Sequence, residues 1–330
     1  MTRARPSAVE WPTLGLTLAC YAAWAAALWV LPGVSLWLAV PTLAWVLAQH
    51  SSLSHEAIHG HPFRREWLNA ALVAPPLILA VPFLRFRDTH LAHHHDAALT
   101  DPYDDPESNF LAEAEWRRLP RPLRAVLRLN NTLAGRLLVG PLVGQASWMI
   151  SDWRAARAGD GRVALGWLLH LPAAALVLWV AWLAPMPLWA YLAATYAGLS
   201  LLKVRTFLEH QAHERARGRT VIIEDRGPLA LLFLNNNLHA VHHVHPRVPW
   251  YRLPGVYASN PGRYLGLNGG YRYGSYAEVF RRHLLRAKDP VAHPLLRREP
   301  GEDLGPLLHP GVDQHDLLVV ARGAVAADDR

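Results

Sequence analysis

Long apolar runs separated by short polar segments dominate the chain. Four of these runs approach the roughly 20 residues that a helix needs to cross a bilayer. They are Leu14–Leu31, Val34–Gln49, Val163–Ala184 and Leu188–Leu208. The runs join in pairs through turns that contain Pro32 and Gly33, or Pro185 and Pro187. The pattern therefore predicts an all-α integral membrane protein with four transmembrane helices arranged as two hairpins.

Two further apolar stretches are less regular. Prolines interrupt Leu68–Leu84, which predicts a segment in the membrane interface or a shallow re-entrant turn. Leu133–Ile150 is expected to form an amphipathic helix. The chain becomes polar and proline-rich after about Arg252, so we expect a membrane domain over residues 1–260 and a cytoplasmic C-terminal extension over 261–330.

Positive charge marks the ends of the runs opposite the two turns. The net charge is +7, and arginine supplies most of it. The positions are Arg3, Arg5, Arg64, Arg65, Arg85, Arg87, Arg154, Arg157, Arg162, Lys203 and Arg205. By the positive-inside rule, the turns face outward, and a helical cap lies in the cytoplasm below a bacterial-type inner membrane. A second run follows the first at once, so we expect the first to remain as an anchor and not to be a cleaved signal peptide.

Composition limits the chemistry that is available. Cys20 is the one cysteine, which excludes internal disulfides and cysteine-ligated metal clusters. No nucleic-acid-binding module is recognisable, so the charge is assigned to a membrane surface. Fourteen of the 19 histidines fall in four stretches: His50–His61, His90–His95, His210–His213 and His239–His245. The predicted topology brings all four stretches to the cytoplasmic side.

Histidine spacing within these stretches predicts a site for two metal ions. His55 and His59 lie one helical turn apart, and two H-x-x-H-H boxes follow. In each box the i and i+3 rings are expected to share a face, with the i+4 ring diverging slightly. The candidate ligands are His55, His59, His90, His93, His94, His210, His239, His242 and His243. Eight or nine imidazoles exceed the four ligands of one zinc and suit two ions of higher coordination number. Candidates for orienting the ligating rings are Glu56, Asp96, Asp101, Asp104, Glu209 and Asn237.

The same residues carry a resemblance. Three segments resemble the three histidine boxes of the membrane fatty acid desaturase and hydroxylase superfamily: His55-Glu-Ala-Ile-His59, His90-Leu-Ala-His93-His94 and His239-Ala-Val-His242-His243. Glu209-His210 resembles the Glu-His element of the alkane hydroxylase branch, and the segment from Leu234 to Pro254 resembles bacterial desaturases. The similarity spans roughly residues 35–260.

This resemblance implies a non-haem centre of two iron ions, O₂ as co-substrate and oxidation of an unactivated C–H bond in a lipid or fatty acyl chain. It also implies an external ferredoxin-like or rubredoxin-like electron donor, since the chain has no flavin or iron–sulfur motif of its own. Desaturation is the first hypothesis. Hydroxylation or ketolation of an alkane or carotenoid type is the alternative. The Glu209-His210 element favours it, and so does the lack of an evident Asn-x-x-x-His element, which acyl desaturases often carry.

Two hypotheses from other classes remain. His55-Glu56-x-x-His59 is also the signature of zinc metalloproteases, although a protease would leave six histidines unexplained. A metal binder or transporter would place its ionisable residues inside the spans, whereas these histidines lie outside them. His170, within a span, is expected to be a hydrogen-bonding residue of the bundle interior. His283, His293, His309 and His315 are expected to be solvated.

Overall fold

The computed structural model describes residues 9–95 and 99–296, and these are predominantly α-helical, as predicted. The helices are α1 Trp11–Trp29, α2 Leu36–Ile58, α3 Glu66–Val73, α4 Phe83–His95, α5 Glu113–Arg118, α6 Arg121–Asn130, α7 Leu133–Leu138, α8 Gly140–Arg157, α9 Gly161–Leu183, α10 Leu188–Thr206, α11 Pro228–Leu232, α12 His239–Val244, α13 Leu253–Ser259, α14 Pro261–Leu267 and α15 Tyr276–His283. Two short strands, β1 Ile222–Ile223 and β2 Arg272–Tyr273, pair in parallel. The described chain divides into two compact units, each assembled from separate segments.

The first unit contains residues 9–87, 166–202 and 226–260. Its core consists largely of alanine and leucine side chains, among them Leu43, Leu47 and Ala194. Gly198 lies so close to α2 that an added Cβ would stand 3.0 Å from the carbonyl oxygen of Ala44. Small residues of this kind allow helix backbones to approach closely, which is how apolar helices pack when lipid competes for the same contacts.

Helix α2 is longer than the apolar run that predicted it. The Ser35 hydroxyl accepts a hydrogen bond from the Trp37 N–H and caps its first turn. The run was expected to end at Gln49, but the helix continues to Ile58. Nothing in this polar continuation breaks a helix, and its side chains are mostly buried, so His55 is held on a rigid helix.

Two helical stretches are long and apolar enough to cross a membrane: Trp11–Gly33 and Gly161–Leu183. Only 22% and 28% of their most apolar windows are buried, so most of the apolar side chains face outward. The core helix of a water-soluble protein would instead bury such residues. The other two predicted spans also form helices, α2 and α10. The arrangement with four spans and a cytoplasmic cap stays a prediction.

The prolines of the Leu68–Leu84 stretch break it as expected. Helix α3 ends at Val73, and the next helix begins only at Phe83. Between them, Leu77 and Ile78 are buried in the core of the first unit. The Tyr191 hydroxyl donates a hydrogen bond to the carbonyl oxygen of Leu77 at 2.6 Å, which satisfies a backbone group that no helix pairs.

The second unit contains residues 88–95, 99–165, 203–225 and 261–296. The single amphipathic helix expected over Leu133–Ile150 is wrong, because the segment forms two helices, α7 and α8. Pro141 lies in the first turn of α8 and has no N–H to continue the hydrogen bonding of α7. A glycine is required at position 135, where α7 passes the end of α6. An added Cβ on Gly135 would stand 1.8 Å from the carbonyl oxygen of Leu129.

Candidate metal centre

Three histidines converge in the first unit. His55 lies near the end of α2, His59 caps that helix, and His242 comes from α12. Their candidate ligand nitrogens lie within 4.8 Å of one another. The rings are all buried, with centroids 4.8 Å apart for His55–His59, 4.8 Å for His55–His242 and 4.6 Å for His59–His242. Burial in this manner excludes bulk water from the nitrogen atoms.

Helix α12 is positioned by an unusual turn. Leu234 and Asn235 both have left-handed backbone angles, with φ of 51° and 55°. The left-handed backbone conformation costs free energy for a leucine, and strained conformations of this kind are found preferentially at functional sites. The Asn235 side-chain amide donates to the carbonyl oxygen of Trp250 at 3.1 Å, which holds the turn.

Glu56, expected to orient a ligating ring, is buried and accepts a hydrogen bond from the Trp250 N–H at 3.1 Å. Its other carboxylate oxygen lies 4.0 Å from His55 Nδ1. Burial raises the pKa of Glu56 to about 7, even though His61 and the Trp250 N–H act in the opposite direction. His61 itself pairs with Glu10, with 2.9 Å between Nδ1 and Oε2.

Two more histidines on α12 complete the candidate metal ligands of the first unit. His239 Nε2 and His243 Nε2 are 3.0 Å apart. On the far side of the His239 ring, Nδ1 lies 3.1 Å from the Asn236 amide oxygen. Nδ1 therefore carries the proton, and the lone pair of Nε2 is left for a cation. Asn237, the residue that the sequence suggested for this role, is buried beside the box.

The second unit holds two histidine pairs. His90 Nε2 and His94 Nε2 on α4 are 3.0 Å apart. His93 Nε2 lies 2.9 Å from the Nε2 of His210, which follows α10 and forms a bridge to Thr220. The spacing within each H-x-x-H-H box differs from the expectation. The i and i+4 nitrogens meet, whereas the rings of the i and i+3 residues are 6.0 Å apart in His90–His93 and 5.9 Å apart in His239–His242.

Two carboxylates that the sequence reasoning missed orient the second box. Glu107 Oε1 lies 3.1 Å from His90 Nδ1, and Asp105 Oδ1 lies 2.8 Å from His93 Nδ1. Burial lowers the pKa of His93, but Glu107 and Asp105 outweigh it and raise the value to about 9. Burial in turn raises the pKa of Glu107, yet His90 and His93 hold it well below its usual range. The sequence feature that could have revealed these two carboxylates is the acidic run that follows the second box, from Asp101 to Glu107.

The acids that the sequence did nominate have other positions. Asp101 accepts the Tyr103 N–H at 2.8 Å within a turn, and Asp104 is exposed. Glu209 is buried and paired with Arg205, with 2.8 Å between Oε1 and Nε. Burial raises the pKa of Glu209 despite that arginine. Asp96 lies outside the described residues.

The nitrogen separations suit metal ligation. Three Nε2 pairs measure 2.9 to 3.0 Å. Two nitrogens at about 2.1 Å from one ion stand about 3.0 Å apart at a right angle, and about 3.4 Å apart in a tetrahedron. The observed separations are compatible with adjacent nitrogens on one ion, and they equal those of ordinary hydrogen bonds between nitrogens. In His90, His93 and His239, the Nδ1 atom on the other side of the ring lies beside a side-chain oxygen, which is the usual partner of a ligating histidine.

Comparison with known proteins decides the family. A sequence model of the fatty acid desaturase family matches residues 27–274. The chain belongs to this family. No curated protein matches it. Membership implies an oxidoreductase with a lipid substrate, and the histidine clusters fit the histidine-box metal site of a desaturase-family protein. Together with the two apolar helices, membership indicates association with a membrane.

Five histidines of this desaturase-family chain were expected to lie outside the metal site: His170, His283, His293, His309 and His315, of which the last two are outside the described residues. His170 Nε2 donates to the carbonyl oxygen of Leu79 at 2.7 Å, in agreement with the predicted hydrogen-bonding role. His293 was expected to be solvated, but it is 1% exposed. Its backbone N–H bonds to the carbonyl oxygen of Leu111, and its Nδ1 accepts the Leu296 N–H at 2.9 Å. His293 and its neighbour Ala292 are therefore part of the second unit's interior.

Proposed function

We propose that the protein oxidises an unactivated C–H bond of a lipid or fatty acyl chain with O₂, most simply as a desaturase. The nine histidines named from the sequence would together hold two iron ions. The observation that supports this most is the repeated geometry of His90, His93 and His239. In each, Nε2 faces another Nε2 at 2.9 to 3.0 Å, while Nδ1 meets a side-chain oxygen.

The irons, when bound, would supply O₂ activation and C–H oxidation, and the chain would supply orientation and exclusion of water. Asp105 and Glu107 hold His93 and His90 in the tautomer that leaves Nε2 available. Desaturation converts one substrate, O₂, two protons and two electrons into an alkene and two waters. An external ferredoxin-like or rubredoxin-like protein would supply both electrons.

A small cavity of about 20 Å³ in the first unit lies among mostly apolar side chains, and as it stands it would admit a water molecule and not an acyl chain. Its lining includes Ile78, Val81, Phe83 and Phe86. The ring centroid of Phe86 lies 6.5 Å from that of His55. The lining also includes the polar His50, Ser51 and Ser54, so a methylene chain would require the cavity to widen along its apolar side.

Desaturation and hydroxylation share this site, and two elements of the chain favour different outcomes. Glu209-His210 resembles the hydroxylase branch. The expectation that the chain lacks the Asn-x-x-x-His element of acyl desaturases is wrong, since Asn235 and His239 have that spacing. Asn235 holds the turn before the third box, a role that serves either reaction. Product analysis separates the two: a desaturated product lacks two hydrogens, and a hydroxylated product gains one oxygen atom.

The proposal includes the predicted topology: four spans in a bacterial-type inner membrane, with the metal site on the cytoplasmic side of a domain over residues 1–260. Reporter fusions placed after Val34 and after Arg162 test it. We expect activity of a periplasmic reporter at the first position and of a cytoplasmic reporter at the second. The reverse pattern at either position would reject the topology.

Metal analysis of the purified protein tests the site. We expect about two irons per chain and reductant-dependent O₂ consumption in the presence of a fatty acyl lipid. One zinc per chain with peptidase activity would instead support the metalloprotease hypothesis, in which Glu56 is the general base. Bound iron without any O₂ consumption would support a metal-binding protein that is not an enzyme.

A further inference from the structure

A basic pocket in the second unit lies outside the candidate metal centre. Its lining consists of Tyr273, Arg281, Arg282, His283 and Arg286, and it is open to solvent. Arg281, Arg282 and His283 form the last turn of α15, and Arg286 follows three residues beyond the helix. We call this feature the arginine pocket.

The pocket has a net positive charge. Arg282 is neutralised by Glu278, at 2.5 Å from Nη2 to Oε1, and it stacks over the Tyr273 ring with 5.6 Å to the centroid. Arg281 and Arg286 are exposed, and neither pairs with a carboxylate among the described residues. Arginines near a helix C-terminus complement its dipole, which accounts for Arg281 and Arg282. Arg286 lies outside the helix, so the dipole does not account for it.

Two exposed leucines accompany the arginines. Leu284 is 42% exposed and Leu285 is 83% exposed, between Arg282 and Arg286 in the sequence. A single exposed leucine is ordinary, but an adjacent pair surrounded by three arginines is typical of a segment that lies in a membrane interface. The arginines meet lipid phosphates there, and the leucines enter the acyl region.

The backbone that presents these leucines is fixed. The carbonyl oxygen of Leu284 accepts the Ala134 N–H at 2.9 Å. Four residues later, the Lys288 N–H bonds to the carbonyl oxygen of Asn131 at 3.3 Å. The folded backbone therefore holds Leu285 at the surface of the unit. No described residue covers its side chain.

We propose that the arginine pocket binds the phosphate of an anionic phospholipid while Leu285 enters the apolar layer, so that this segment is an attachment to the membrane separate from the apolar helices. Charge complementarity favours an anionic lipid over a zwitterionic one, because Arg281 and Arg286 have no counter-ion within the described chain. An acidic protein would satisfy the arginines, but it would not explain the most exposed leucine of the group.

A single fluorescent label tests the proposal. Cys20, the one native cysteine, is buried, so Cys20→Ser with Leu285→Cys gives a unique site for a polarity-sensitive dye. The full chain is reconstituted in phosphatidylcholine nanodiscs with increasing phosphatidylglycerol. We expect the dye emission to shift to the blue as phosphatidylglycerol increases. The shift should reverse in 1 M salt, where the screening length falls to about 3 Å.

Charge variants identify the groups that bind the lipid. Replacing Arg281 and Arg286 together with glutamine should lower the ratio of inserted to uninserted dye about 30-fold at a given phosphatidylglycerol fraction, from about 1 kcal/mol for each arginine near an anionic surface. Arg215→Gln with Arg217→Gln is the matched control, since it removes the same charge from exposed positions of the same unit and should leave the response unchanged.

Three results would overturn the proposal. They are an emission that never responds to phosphatidylglycerol, a shift that is equal in pure phosphatidylcholine and resistant to salt, and a shift that appears only when an acidic ferredoxin-like protein is added. The last would assign the pocket to the electron donor. The salt reversal is measured on the chain with its arginines intact, so it does not depend on how well the glutamine variants fold.

Discussion

Replacing Asp105 with asparagine should weaken metal binding through His93 without removing any ligand. Asp105 is 3% exposed and accepts three N–H groups. Its Oδ1 lies 2.8 Å from His93 Nδ1 and 2.9 Å from the Glu107 N–H nitrogen, and its Oδ2 lies 2.7 Å from the Thr100 nitrogen. Asparagine has one acceptor oxygen and one donor amide, so either orientation sets a donor against an N–H group.

The size of the effect follows from these contacts. A hydrogen bond to a charged group contributes about 1.5–3 kcal/mol. Thr100 is β-branched and has a left-handed φ of 69°, a conformation that the bond from its N–H to Asp105 helps to hold. We therefore expect the metal-free protein to lose about 2 kcal/mol of unfolding free energy. Loss of a carboxylate behind a ligating histidine lowers metal affinity by about 10- to 100-fold.

Competition with a chelator, well below the unfolding temperature, measures the affinity on folded protein. Asp104→Asn is the matched control, because it removes the same charge from the adjacent, exposed position. The control should bind metal as the parent does, and Asp105→Asn should not. If both variants kept the parent affinity, His93 would not be a ligand that Asp105 orients, and the assignment of the second box would have to be withdrawn.

Four further results are expected. His94→Ala and His243→Ala should each abolish oxidation and lower bound iron, and full activity in either would reject that box. His170→Ala should keep its iron while losing about 1 kcal/mol of stability with the bond to Leu79, so loss of iron would show that the site is misplaced. Since the pKa of His93 is raised to about 9, a bound metal ion should displace a proton from His93 below that pH. The apparent affinity for metal should then rise up to tenfold per pH unit, and an affinity that does not change with pH would contradict this. Without metal, the stability from charged His93 is full below about pH 6.5 and should be lost as the pH rises through about 9.

The helices and the pairing of His55 with His59 were accessible from the sequence. Apolar runs fixed the positions of α1, α9 and α10 to within a few residues, because burial and lipid exposure both favour continuous apolar segments. Regular spacing of four residues correctly placed the His55 ring beside the His59 ring. The box geometry was still misjudged, since side-chain direction along a helix brings the i and i+4 nitrogens together and leaves the i+3 ring for another partner.

Contacts made through loops were not accessible. Asp105 and Glu107 reach back to α4 from an irregular segment, and neither periodicity nor propensity tells which of several neighbouring acids will point inward. Burial of His293 was missed for a similar reason. A proline-rich polar stretch resembles a tail, but its backbone pairs with Leu111, and such long-range pairing leaves no local pattern.

The uneven distribution of carboxylates bears on the electrostatics of the centre. Neutral imidazoles do not offset the charge of a cation, so nearby acids must do so. Glu56 is the acid that adjoins the first box, and burial raises its pKa to about 7, which leaves it only partly ionised at neutral pH. Glu107 stays ionised because His90 and His93 hold its pKa well below the usual range. Negative charge is thus concentrated behind His90 and His93, where it strengthens those nitrogens as donors and favours the more highly charged state of any redox metal they bind.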